Sequence, residues 1–486
     1  MNKSTTLYQL NTRVYLNSLR GHGQAATLDA IPDRELDRLQ NLGFEWVWCL
    51  SVWSTGPRAR KISQEHEGWQ QEFQHTLPDL KPEDIGGSGF AIAAYEVAVE
   101  LGGHDALARL RQRLHARNLK LMLDFVPNHL GPDHAWVSEH PDYFVSGSEQ
   151  LLNHQPQNYT QVTSSDGEKI LAYGRDPYFD GWPDTLQLDF SNPATVTAMK
   201  AELHRIATQC DGVRCDMAML VLPEVFEKTW GRKALPFWED VIREVKASNP
   251  GFQFMAEVYW DLEWKLQQLG FDWTYDKRLY DRLREGRARA VREHLQAALD
   301  YQTKLVRFLE NHDEARAAST FVLPQHAAAA VITYLTPGMR FFYHGQLEGY
   351  RKRISPHLIR GPQESVDAAL NTFYHGLLTL LKQPLFHARW QLADCLPAWN
   401  GNNSWDSFLA FVWEEPAGRK ALIVVNYAPH ASQGYVRLPF TDLRNPHIEF
   451  QDLMNSTRYT RDGHEVATRG LYVDLPAWGF HVFEIR

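Results

Sequence analysis

The chain has 486 residues, long enough for a large domain plus a smaller one and for a sizeable core. Hydrophobic residues make up 44% and charged residues 22%, as in ordinary globular proteins, and a net charge of −9 without a lysine or arginine run argues against nucleic acid or an anionic membrane surface as partner. No stretch is long and apolar enough to span a bilayer, the N-terminal MNKSTTLYQLNTRVYL has no continuous apolar signal region, and Cys49, Cys210, Cys215 and Cys395 lack paired metal spacing, so a cytoplasmic protein with reduced, buried cysteines is expected.

Strand and helix signals alternate along the chain. TRVYLNSL (12–19) reads as a strand, and DRELDRLQNLG as a helix stopped by Gly43. FEWVWCLSVW is the next strand, and HDALARLRQRLHARN carries Leu107, Leu110 and Leu114 at helical spacing. That helix feeds LKLMLDFV. Between Asn128 and about Asp189 the rhythm breaks into a His-, Asn-, Pro- and Tyr-rich stretch, the mark of a functional excursion. Helical segments then feed GVRCD, FQFMAE, RFLENHD and MRFFYHG in turn.

Repeated strand–helix units imply a parallel sheet, and polar clusters at the C-terminal ends of several strands favour a closed (β/α)8 TIM barrel over a doubly wound sheet. No glycine-rich phosphate fingerprint follows an early strand. From about Gln391 the chain becomes β-rich without a helical period. The expected organisation is α/β: a catalytic barrel over 1–390, an excursion at 128–190 after the third strand, and an antiparallel β-sandwich over 391–486.

Buried parallel strands are apolar along their length, so acids at their ends have left the core for a working surface. On GVRCD, Arg214 and Asp216 share one face, where the arginine can hold the carboxylate ionised. Glu257 ends an apolar strand, where partial burial suits a general acid. One ionised and one protonated carboxylate form the working pair of glycoside cleavage. The plain reading of any single cluster is an ion pair beside a surface glutamate, but three acid clusters with Asn-His and Asn-His-Asp runs favour chemistry. Asparagine and neutral histidine both donate and accept to sugar hydroxyls. The 16 Trp and 19 Tyr fit core packing and also stacking on sugar faces. His129 with Asp124, or His312 with Asp313, lacks the helical spacing of zinc hydrolases, and no G-x-S-x-G elbow is present.

The clusters resemble the signature regions of the α-amylase family of retaining glycoside hydrolases and transglycosylases, in the family's order: LDFVPNH (123–129), GVRCD (212–216), AEVYW (256–260) and FLENHD (308–313), with a weaker match in TLQLDF (185–190). The resemblance implies Asp216 as nucleophile, Glu257 as acid/base and Asp313 as the third acid. It further implies that Arg214 orients Asp216, that His129 and His312 bind sugar hydroxyls, that Asp124 supports the site, and that Phe90 stacks under the sugar where the family usually has tyrosine. Asn128 matches a calcium-ligating residue of many members, although the other ligands find no clear place here; no other cofactor is implied. The chain departs from the family at Met217, Met219 and Leu220, where contacts to the leaving group are common, so a short or unusual α-glucoside is expected. Three readings follow: a hydrolase of α-glucosides or short α-glucans, a transglycosylase or sugar isomerase using the same site, and a catalytically silent binding subunit. Charge and size set no oligomeric state.

Overall fold

The computed structural model describes residues 5–20, 26–440 and 446–486; the first four residues of the amino-terminal segment considered above as a leader lie outside them. Eight strands close a barrel: β1 (Thr6–Asn11), β2 (Trp46–Leu50), β3 (Lys120–Phe125), β4 (Gly212–Cys215), β5 (Gln253–Ala256), β6 (Trp273–Tyr275), β7 (Leu305–Arg307) and β8 (Met339–Tyr343). Each strand pairs with its neighbour in chain order, and β8 returns to β1. This is the expected eightfold barrel. Two compact units make up the chain, Tyr8–Tyr275 with Lys352–Gln363, and Asp276–Arg351 with Glu364–Arg486 and the beginning of β1.

In the first unit, the strands are buried along nearly their whole length, as both faces of a covered parallel sheet must be. Parallel register aligns Arg214 of β4 with Asp124 of β3 on one side and Met255 of β5 on the other. Amphipathic helices cover the strands. Gly103–His115 buries Ala106, Leu107, Leu110 and Leu114, and Trp238–Ser248 buries Trp238, Val241, Ile242 and Val245. Helix Asp33–Leu42 ends where Gly43 takes a left-handed φ of 91°, the stop that its sequence indicated.

The first strand differs from expectation. TRVYLNSL is a helix, Thr12–Leu19, and the strand is the preceding TLYQLN. Every residue of Thr6–Asn11 is buried, whereas Thr12–Leu19 buries only Thr12, Val14 and Leu16. A short apolar run does not separate the two structures; the wholly buried barrel position selects the strand.

The excursion after β3 carries short helices and a hairpin pairing Tyr159–Ser164 with Gly167–Ala172. Its Asp166-Gly167 turn between alternating residues was a readable hairpin signal. The excursion closes at its root, where His129–Leu130 pairs with Leu186–Gln187.

In the second unit, helix Leu323–Leu335 is buried over most of its length. The C-terminal region forms an antiparallel six-stranded sheet and an antiparallel three-stranded sheet. Alternating residues such as Ala410, Val412, Leu422, Val424 and Phe483 share one core with Val436, Leu471 and Val473. One short helix, Gly463–Arg469, interrupts a region expected to be free of helix. Trp413 Nε1 donates to the Leu335 carbonyl at 2.8 Å, and Tyr427 Oη to the Leu283 carbonyl at 2.7 Å. The four cysteines are free and buried. Among the described residues, no helix is long and apolar enough to cross a membrane.

Within the excursion, Asp184 is 3% exposed and its Oδ2 has no hydrogen-bond partner among the described residues. Burial pushes its carboxyl up to about 7. Because the folded value lies above the unfolded one, its contribution to stability is present below about pH 4 and is lost as pH rises through 7. Asp184→Asn removes that loss. Its melting temperature should exceed that of the parent by more at pH 8 than at pH 5; an equal difference at both pH values would contradict the assignment.

Candidate active site

The ends of β4 and β5 build the site. Beyond the strands the ladder continues for one residue: Asp216 N donates to the Phe125 carbonyl at 2.8 Å and Glu257 N to the Cys215 carbonyl at 3.0 Å. Both acids are therefore fixed by backbone pairing and are nearly buried, Asp216 at 6% and Glu257 at 3% exposure. Between them sits Arg214, fully buried. Its Nη1 donates to Asp216 Oδ1 at 2.6 Å, and its Nη2 lies 2.8 Å from Glu257 Oε2. One guanidinium thus contacts both carboxylates. The rings of Phe90, Trp48 and Tyr275 lie 5.2, 5.3 and 5.8 Å from it, and Nε donates to Tyr275 Oη at 3.4 Å. Burial opposes the arginine's charge, but Glu257, Tyr275, Asp216 and Asp124 outweigh it and drive the guanidinium further above its usual value.

Glu257 has two further ties. Met217 N donates to Oε2 at 2.7 Å, and Tyr259 Oη donates to Oε1 at 2.8 Å. Met217 reaches that carboxylate through a left-handed backbone, φ 40° and ψ 45°, which a non-glycine residue adopts at a cost of about 1–2 kcal/mol. Tyr259 and Met217 had no expected role at Glu257. The tyrosine's place two residues beyond the glutamate was visible; the turn at Met217 had no local signal.

Asp124 sits beside Arg214, at its register position on β3. It accepts from Trp48 Nε1 at 3.1 Å and Ser51 N at 2.9 Å, and burial pushes it up to about 7 against the pull of Arg214. His129 is also buried, and burial lowers it to about 3, partly offset by the charge of Glu257, so its ring stays neutral. Its Nδ1 lies 3.3 Å from Asn128 Nδ2, and its Nε2 has no hydrogen-bond partner among the described residues. Trp182 packs 5.2 Å from the ring.

Arg214, Asp216, Glu257, Asp124, His129 and Phe90 all belong to the first compact unit. Asp313 and His312 belong to the second, on the segment that follows β7. There His312 Nε2 lies 3.1 Å from Asp313 Oδ2, and Asn311 Oδ1 accepts from the N–H groups of Asp313 and Glu314, both at 2.9 Å. Asp313 is 41% exposed. The same segment is pinned by a buried ion pair, Glu310–Arg316 at 2.8 Å.

Met219 and Leu220 are buried in the short turn Ala218–Val221. Exposed aromatic surface lies elsewhere in the first unit. Tyr178 and Phe179, 57% and 72% exposed, project from a turn capped by Asp176, and Tyr178 meets Trp260 edge to face at 5.0 Å. Trp260 and Asp261 are both left-handed, with φ 65° and 62°.

Asn128, the expected calcium ligand, does not offer the open oxygens a cation needs. Its Oδ1 and its backbone carbonyl each accept from Gln187 Nε2 at 2.9 Å. Among the described residues, no group of three or more His, Cys, Asp or Glu side chains is placed to hold a metal. The residues do not fit a calcium at Asn128.

The alpha amylase catalytic domain family model matches residues 21–371. An alpha-1,4-glucan:maltose-1-phosphate maltosyltransferase from Burkholderia pseudomallei is 28% identical over 55% of this chain and 20% of its own length. Alpha-amylase 3 of Dictyoglomus thermophilum is 23% identical over 56% of each protein. The chain thus spans about half or less of the length of these curated relatives. Among solved structures, a noncanonic maltogenic alpha-amylase from Thermotoga neapolitana superposes with a TM-score of 0.70 at 17% identity, covering 99% of this chain and 98% of that one. The alpha-amylase of Geobacillus thermoleovorans complexed with acarbose gives 0.67 at 18% identity over 99% and 98%. With the barrel closed, the acid-bearing strand ends in place and 21–371 matched by one family, the chain belongs to the alpha-amylase family.

Proposed function

We propose that the chain is a retaining α-glycoside hydrolase acting on α-linked glucosides or short α-glucans in the cytoplasm, with no cofactor and with no nucleic-acid or membrane partner. The observation that carries this reading is the single buried Arg214 guanidinium held between Asp216 and Glu257. Asp216, paired at 2.6 Å, stays ionised and attacks the anomeric carbon. Glu257 Oε2 accepts from Met217 N and lies 2.8 Å from Arg214 Nη2, which leaves Oε1, beside Tyr259, to carry the proton. That proton passes to the glycosidic oxygen as its bond to the anomeric carbon breaks and the sugar–Asp216 ester forms. Glu257 then takes a proton from water, which displaces Asp216 and releases the sugar with its α configuration.

In this reading, the neutral His129 donates from Nε2 to a sugar hydroxyl, Asp124 supports Arg214 from β3, and Phe90 stacks beneath the ring. Asp313 and His312, on the segment after β7, take the roles of third acid and of a ligand to sugar hydroxyls, and the excursion at 128–190 belongs to a catalytic barrel of 1–390, with 391–486 as the C-terminal sandwich. Transfer to a sugar acceptor is the second reading, favoured by the exposed rings of Tyr178 and Phe179, whose faces suit a pyranose.

Incubation with a panel of α-glucosides, followed by proton NMR, tests both. Hydrolysis predicts the α-anomer as first product, a β-anomer contradicts the mechanism, and transfer products replace free glucose if the second reading holds. Asp216→Asn and Glu257→Gln should each lower kcat/KM by about a thousandfold while leaving the far-ultraviolet circular dichroism unchanged. Retention of most of the rate by either variant would remove that residue from its role. Tyr259→Phe deletes one hydrogen bond to Glu257 and should lower kcat/KM by about tenfold, consistent with the usual worth of a buried hydrogen bond; unchanged kinetics would show that Oε1 does not depend on it.

A further inference from the structure

The root of the excursion is held by an unusual concentration of bonds on one side-chain nitrogen. Gln187 is fully buried, and its Nε2 lies 2.9 Å from the Asn128 carbonyl, 2.9 Å from Asn128 Oδ1 and 3.1 Å from the Leu188 carbonyl. Three oxygens converge on one positively polarised centre. That is the arrangement of a cation in an oxygen cage, made with an amide. We infer that the Gln187 amide stands in for a calcium ion at the root of the excursion and, through Asn128, positions His129.

The orientation of each group in this chain is forced. The Asn128 and Leu188 backbone carbonyls can only accept, so Gln187 must turn its NH2 toward them. The same NH2 can approach Asn128 only at its oxygen, which aims Asn128 Nδ2 at His129 Nδ1, 3.3 Å away. Nδ1 must then accept, and the ring proton resides on Nε2. Nε2 is the buried atom without a hydrogen-bond partner among the described residues. Gln187 therefore holds His129 as a donor from Nε2. Backbone pairing fixes the same junction, with His129 opposite Gln187 and Leu188 N donating to the Asn128 carbonyl at 3.1 Å. The function of that donor rests on the glycosidase reading above; the cation replacement does not.

The test uses the full chain and three readouts: thermal unfolding in EDTA or millimolar calcium chloride, the 15N spectrum of histidine-labelled protein, and kcat/KM. The wild-type melting temperature should be the same in EDTA and calcium, and His129 should carry its proton on Nε2. Gln187→Glu places a carboxylate among the three oxygens; in EDTA it should melt several degrees lower, and calcium should restore it. Gln187→Leu should melt lower without rescue by calcium, should show a mixture of His129 tautomers, and should lose about tenfold in kcat/KM. A wild-type melting temperature that moves with calcium would overturn the replacement, as would a Gln187→Glu variant indifferent to it. Gln187→Leu with the wild-type melting temperature and tautomer would overturn the positioning role. If wild type cleaves no α-glucoside, the glycosidase reading fails, while the unfolding and tautomer arms still decide the role of Gln187.

Discussion

The site depends on one buried positive charge. Arg214 has no exposure to water, and removing a guanidinium from solvent is costly unless opposite charge and hydrogen bonds surround it. Asp216 supplies the charge, Glu257 Oε2 lies against the second guanidinium nitrogen, and Tyr275, Trp48 and Phe90 supply the walls. The same contacts that make the arginine tolerable hold the two carboxylates in place. Asp124 completes the arrangement from β3, at the register position beside Arg214. Loss of Asp216 would leave an uncompensated charge in a dry environment, so stability and site geometry are linked through the same side chains.

Backbone geometry transmits this constraint to the atoms that would react. The ladder between β3, β4 and β5 extends one residue past the strands, delivering Asp216 and Glu257 at adjacent ends. Immediately afterwards the chain turns left-handed at Met217 and sends its N–H to Glu257, while Ala218 N donates to the Glu257 carbonyl and the Ala218 carbonyl accepts from Trp238. Strain of this kind persists only where surrounding contacts over-determine it. Here they do. In the second unit, the segment bearing Asp313 has its own anchor, the buried Glu310–Arg316 pair and the Asn311 side chain.

Much of this was legible because parallel strands with acids at their ends are distinctive. GVRCD exposed both the buried run and the Arg-x-Asp spacing, and Leu107, Leu110 and Leu114 marked the helix face that is now buried. The first strand was misplaced because TLYQLN and TRVYLNSL are both short and apolar, and only the closed barrel distinguishes them. β6, a three-residue strand, gave too little periodicity to find. At the site, Tyr259 was adjacent in sequence to its target, yet Met217 acts through a dihedral angle that no side chain announces. Gln187 was hidden for another reason. Its partners, Asn128 and Leu188, lie on both sides of the excursion, so its value appears only when the root has closed.

The central claim is that Arg214 keeps Asp216 ionised as the attacking group. The direct measurement is mass spectrometry of Glu257→Gln after reaction with a fluorinated α-glucosyl fluoride, whose good leaving group needs no acid and whose ester turns over slowly. The account predicts one added glycosyl group, on the peptide containing Asp216. A label on Asp313, or a product of inverted configuration without any covalent adduct, would contradict it.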